Sequence, residues 1–159
     1  MSSIVRSTLL LSALAIGALL PNCSDNRLQN ASAITSSGSA AIHGTFRQTG
    51  AGSTLTVWPE AINGNLSPKP SQRADQAAFP VRAGTNRIMV RADTTRFVGV
   101  AKLGTARTTV DFQARQGIRY AVNGDWTGDG LFVWIEEGET GKTVSPKREL
   151  KPAEGIFIP

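Results

Sequence analysis

Cysteine is almost missing. The chain of 159 residues holds one, Cys23, together with one histidine and one tyrosine. No disulfide can therefore close within it, whatever the compartment. With one imidazole and one thiol, His43 and Cys23, the chain also lacks the His/Cys ligands of a zinc site. A lone strand histidine reads as exposed or hydrogen-bonded rather than as a catalytic base, which needs a nucleophile beside it. No Gly-x-Ser-x-Gly elbow occurs. The segment Gly138-Glu139-Thr140-Gly141-Lys142-Thr143 lacks the spacing and the following helix of a phosphate-binding loop. Long hydrophobic runs are missing too. The longest, Leu9 to Leu20, spans 12 residues, against about 20 for a membrane-crossing helix. After it, no 12-residue window carries helical periodicity.

That short run has a meaning of its own. Arg6 precedes it and Pro21 ends it, the order of a basic n-region, an apolar h-region and a helix break. Residues 1–22 are expected to be an export signal. Cys23 lies three residues past the run, where an unpaired cysteine in an exported protein calls for a role. The segment Leu20-Pro21-Asn22-Cys23 resembles the lipobox of bacterial lipoproteins, in which a Leu stands three residues before an acylated Cys. Leu20 and Cys23 match; Pro21 and Asn22 depart from the small residues of that pattern. The resemblance implies a diacylglyceryl thiol at Cys23 and cleavage just before it. The alternatives are a Cys removed with the leader or an incidental thiol.

Residues 23–41 follow as a lipidated Cys and flexible tether rich in Ser, Ala and Asn. From residue 42 the texture changes to short alternating runs broken by Gly, Pro and Asn. Expected strands cover 41–48, 54–58, 79–81, 87–91, 96–101, 108–114, 118–122 and 131–135, with 143–144 as a short return. Residues 63–77 read as a long loop, and Phe79-Pro80-Val81 as an edge strand because its proline cannot donate to a ladder. Seven to nine short strands predict an all-β antiparallel sandwich over residues 42–146, with a small β-barrel as the alternative and residues 147–159 as a tail.

Three phrases carry a further resemblance. They are Phe79-Pro80-Val81-Arg82-Ala83-Gly84 before Arg87-Ile88-Met89-Val90, Val110-Asp111-Phe112-Gln113-Ala114 with Gly117 and Tyr120, and Trp134-Ile135-Glu136 before Thr140-Gly141-Lys142-Thr143-Val144. Together they resemble small bacterial envelope lipoproteins with a PEGA-like, transthyretin-like or immunoglobulin-like β domain. The resemblance implies a non-enzymatic envelope module and brings no catalytic residue with it.

Net charge is +5, and it is uneven. Between Lys69 and Arg119 ten Lys/Arg face three Asp, whereas from Tyr120 onward four basic residues face seven acidic ones. The basic half suits an anionic partner such as lipid head groups or an envelope polymer. It equally suits the wet side of an Arg-rich sheet. Trp58, Trp126 and Trp134 are candidates to line a groove. Trp134 reads as core, and Trp126 stands out because it lies in a polar turn. The ligand-binding candidates are therefore Trp126, Arg87 and Arg91. Asp125-Trp126-Thr127-Gly128-Asp129-Gly130 with Glu136 nearly fits a calcium loop. The strand expected at 131–135 carries Glu136 about 20 Å away, so a weak Ca²⁺ site would rest on Asp125 and Asp129 alone. Glu136-Glu137 and Glu139 read as a solvated rim. No cofactor is implied. The expected partners are a membrane, through the N-terminal lipid, and an envelope polymer or protein, not nucleic acid.

Overall fold

The computed structural model describes residues 31, 34–35, 38–68, 77–98, 100–127, 130–151 and 153–156. The predicted leader, Cys23 and Asp129 lie outside them. The chain is all-β. Its strands are β1 (Ala40–His43), β2 (Thr45–Gly50), β3 (Ser53–Ile62), β4 (Asn65–Leu66), β5 (Ala78–Val81), β6 (Gly84–Val98), β7 (Val100–Ala114), β8 (Arg119–Trp126), β9 (Leu131–Glu137), β10 (Arg148–Leu150) and β11 (Ala153–Ile156). They form two stacked sheets, which we call A and B. Sheet A has the order β10-β9-β8-β1-β5, and sheet B the order β11-β7-β6-β3-β2 with β4 also on β3. Neither closes into a barrel. All pairings are antiparallel except β1 with β8.

Period-two alternation builds the core. Along β6, Ile88, Val90 and Ala92 are buried, while Arg87 and Arg91 face out. Along β8, Tyr120 and Val122 face in, and along β9 Leu131, Val133 and Ile135 do. These side chains meet Leu55, Val57, Val110 and Phe112 from the facing sheet in one cluster. Gly124 also faces in. A Cβ there would lie 2.7 Å from Val57 Cγ2 and 3.3 Å from Leu55 Cδ2, so glycine lets the two sheets close up at this point.

The chain changes sheet at defined corners. Gly44 separates β1 in sheet A from β2 in sheet B, so the strand expected at 41–48 is two. The Thr45 hydroxyl donates across to the Val122 carbonyl at 3.0 Å. Between β7 and β8, Gly117 takes a φ of 75°, as the predicted Gln116–Gly117 turn requires. The Arg115 N–H donates to the Tyr120 hydroxyl at 2.8 Å. A tyrosine reaching back to backbone a few residues upstream is a recurrent sandwich device.

Three sequence expectations change. Residues 96–101 do not form a strand of their own: β6 runs to Val98, pairs with Val100, and returns as β7, giving two 15-residue strands. The loop expected from residue 63 begins with a hairpin. Asn63 and Gly64 have φ of 50° and 85°, the primed turn that two-residue hairpins favour. The residues after 146 add β10 to sheet A and β11 to sheet B, so the sandwich takes in residues read as a tail. The edge position predicted for Phe79-Pro80-Val81 is where β5 sits.

Candidate functional site

The three central strands share a pattern at one end of the molecule. The inward row of β6 passes from Ile88, Val90 and Ala92 to Thr94 and then Arg96. The inward row of β3 passes from Val57 and Leu55 to Ser53. The inward row of β8 passes from Tyr120, Val122 and Gly124 to Trp126. Apolar side chains thus give way to polar and amphipathic ones in step, and the interior ends in an open cleft rather than a plug. Thr49, Ser53, Thr54, Thr94, Thr95, Arg96 and Trp126 line this cleft, which encloses about 240 Å³.

Five of those seven residues carry hydroxyls. Thr94 is 5 % exposed, and its hydroxyl donates to the Gly104 carbonyl at 3.4 Å. The hydroxyls of Thr49, Ser53, Thr54 and Thr95 and the Arg96 guanidinium have no hydrogen-bond or ion partner among the described residues. The register of β6 against β7 places Lys102 directly opposite Arg96.

The outer face of sheet B is different. Arg87 forms a two-pronged pair with Asp111, at 2.9 and 3.2 Å. Arg91 donates to both oxygens of Asp93, at 2.9 and 3.2 Å, and reaches Glu60 at 3.5 Å. Arg107 holds Glu60 at 2.7 and 3.0 Å. Glu60 is the extra residue of a bulge between Pro59 and Ala61, which aims it at both guanidiniums. The Arg107 hydrogen bond leads in holding the Glu60 carboxyl below its ordinary range. The Arg87 hydrogen bond likewise lowers Asp111. Arg91 also lies over the Trp58 ring, 5.2 Å from its centroid, and leaves that indole 3 % exposed. The basic excess seen in sequence is therefore largely matched here by carboxylates.

The sequence candidates do not converge. Trp126 lies at the cleft, Arg87 and Arg91 on the outer face of sheet B. Along β6, Arg87 is about 30 Å and Arg91 about 16 Å from Arg96, at the rise of a strand. The cation beside Trp126 is Arg96, which sequence reasoning missed. The signal was available: Arg96 shares the parity of Ile88, Val90 and Ala92, and only the true length of β6 makes that parity count.

Asp125 is exposed on the side of β8 opposite to Trp126. Glu136 pairs with Ala121, well along the ladder from Asp125, and accepts hydrogen bonds from Asn123 and from Trp134 Nε1. Among the described residues no three His, Cys, Asp or Glu gather as a metal site. Trp134, read as core, lies on the outer face of sheet A, 8 % exposed beneath the Lys147 ammonium at 4.5 Å. Glu137, read as rim, is 7 % exposed and ion-paired with Arg115. His43 Nδ1 sits 2.8 Å from the Gly44 carbonyl. No family model, curated protein or solved structure matches the chain.

Proposed function

We propose that this chain is an exported, lipid-anchored, non-enzymatic module of the cell envelope that works by binding, with the cleft at Trp126 as its working end. In this reading it belongs with the small envelope lipoproteins its strand phrases resemble. Cys23 carries the acyl chains that hold it to the membrane.

One observation carries the proposal: the two ends of the sandwich are opposite. Part of the segment expected as a flexible tether is ordered, since Ala31 is 5 % exposed and the Thr35 hydroxyl donates to its carbonyl at 3.1 Å; it leads to Ser39, whose carbonyl accepts from the Gly117 N–H at 3.2 Å. There β1 starts beside Arg119, the first residue of β8. Because β1 and β8 run parallel, Trp126 is at the far end of β8, about 23 Å further on. A lipid at Cys23 would attach the chain to the membrane on the side of the entry end, and the cleft lies at the end of the domain farther from that attachment.

The test is the intact mass of the mature protein recovered from the envelope, with Cys23→Ala as control. The reading expects a chain that begins at Cys23 and carries acyl mass, and a Cys23→Ala chain that no longer fractionates with membranes. An uncut chain in the cytosol, or a mature N-terminus elsewhere, refutes it.

A further inference from the structure

We propose that the cleft is a saccharide subsite that takes one sugar ring bearing an anionic group, the ring against Trp126 and the anionic group on Arg96. The inference rests on the reading of this end as the binding end and adds the chemistry of what is bound.

The lining itself argues for a sugar. An aromatic side chain combines a broad apolar face with rigidity, which suits the C–H face of a pyranose. Beside it, Ser53 on the inward row of β3 and Thr49 at the rim carry hydroxyls not engaged within the protein among the described residues, while Thr54 and Thr95, paired on the opposite parity, border the opening. Each supplies one donor and two acceptors, and its hydrogen rotates to suit, so a ring of hydroxyls can be matched in several ways. A purely apolar ligand would leave these groups unpaired and lose affinity for it. The volume of about 240 Å³ falls just below the ~300–1,000 Å³ of sites for drug-sized ligands, a size for one ring rather than a buried oligomer.

Arg96 adds the preference for charge. Arg87, Arg91 and Arg107 each have a carboxylate, whereas Arg96 has none among the described residues. The guanidinium presents a planar fork of donors that matches a carboxylate or phosphate oxygen pair. Ordinary strand threonines on a wet face would not explain the arrangement. Ser53, Thr94, Arg96 and Trp126 occupy inward positions of three strands, on both walls of one gap.

The experiment uses the mature acylated protein in detergent micelles, titrated with glucuronic acid, glucose 6-phosphate and glucose. Tryptophan emission and backbone amide shifts are followed together. Trp126→Phe is the control that assigns a saturable change in emission to Trp126 rather than to Trp58 or Trp134. The two acidic sugars are expected to saturate, with amide shifts centred on residues 53–54, 94–96 and 126. Glucose is expected to bind about tenfold or more weakly, the worth of a hydrogen bond to a charged group. Arg96→Gln, at an exposed position, is expected to keep the fold and erase the difference between acidic and neutral sugars. Arg87→Ala is expected to change nothing. Absence of saturation with both acidic sugars, or an acid preference that survives Arg96→Gln, overturns the proposal.

Two further arms separate the sources and the parent reading. Soluble anionic envelope polysaccharide and vesicles doped with an anionic glycolipid distinguish polymer from lipid as the carrier of the sugar. Retention on whole envelope fragments tests the binding end alone. Retention lost in Trp126→Ala, with no response to sugars, rejects the ligand class and keeps the end. Equal retention of wild type and the Trp126→Ala, Arg96→Gln double variant rejects both.

Discussion

Gly124 offers the sharpest test of how the two sheets are held. Its φ is not in the left-handed region, so backbone freedom does not explain the glycine. Space does. In Gly124→Ala the new methyl would lie 2.7 Å from Val57 Cγ2, 3.3 Å from Leu55 Cδ2 and 3.3 Å from the Phe132 carbonyl oxygen. Val57 and Leu55 are 0 % and 1 % exposed and have nowhere to retreat. Overpacking of this kind costs about 1–3 kcal/mol. Alanine also stiffens the unfolded chain, which offsets about 0.4–1 kcal/mol. The expected net loss is about 1–2 kcal/mol, or about 4–8 °C in Tm for a domain of this size. Val57→Ala alone should cost about 2 kcal/mol through the cavity it leaves. The double variant removes Val57 Cγ2 from beside the new methyl, so it should be about 1 kcal/mol more stable than the sum of the singles. The Leu55 and Phe132 contacts remain, so rescue stays partial. Urea unfolding of all four proteins supplies the cycle. A Gly124→Ala protein as stable as wild type, or a cycle that closes to zero, refutes the steric account.

Other substitutions test other joints. Glu60→Gln removes the negative charge shared by Arg107 and Arg91 and one of its two acceptor oxygens, and should cost about 1 kcal/mol at neutral pH, much of it screened by salt. Its folded-state carboxyl is held below the ordinary 4.5. The stability it contributes is thus complete above that value and lost as pH falls through the lowered one. The gap between wild type and Glu60→Gln should therefore be flat at neutral pH and close under acid, as melting from pH 8 to pH 3 would show. Tyr120→Phe leaves the Arg115 N–H without its acceptor and should cost about 1–2 kcal/mol by urea unfolding. Asn86 is 1 % exposed and bonds Arg82 O, Gly84 O and the Asn63 side chain, so Asn86→Ala should cost about 2 kcal/mol or more in the same assay. Arg87→Ala opens a solvent-exposed pair and should leave the melting curve where it was.

Local pattern was enough for most of the fold. The alternation of Ile88 and Val90, or of Val110, Phe112 and Ala114, names a buried face without tertiary knowledge. Turn chemistry at Gln116-Gly117 was equally plain. What failed was the joining of runs. Thr94, Thr95 and Arg96 are polar, so they read as a break between strands. They are ordered by ladder bonds to β3 and β7, which the sequence does not display. That same misreading hid the cleft, because the parity of Arg96 has meaning only if β6 is continuous. Trp126 was singled out for its polar neighbours, whereas what the structure adds is its inward position at the cleft. Trp134 is buried as its apolar run indicates, though on the outer face of sheet A under a cation from residue 147 that the run does not announce. Glu137 was misplaced because an acidic doublet tells nothing about an arginine brought in from residue 115.

The entry of the chain through β1 bears on how the domain would carry load. β1 lies between β8 and β5, bonded on both sides. A pull on the N-terminus, against a weight held near Trp126, runs along the strand axis. The ladder bonds of β1 then share the force at once instead of opening one after another. Under the proposed anchoring at Cys23, a pull between the N-terminal segment and the cleft end would load these ladder bonds in shear.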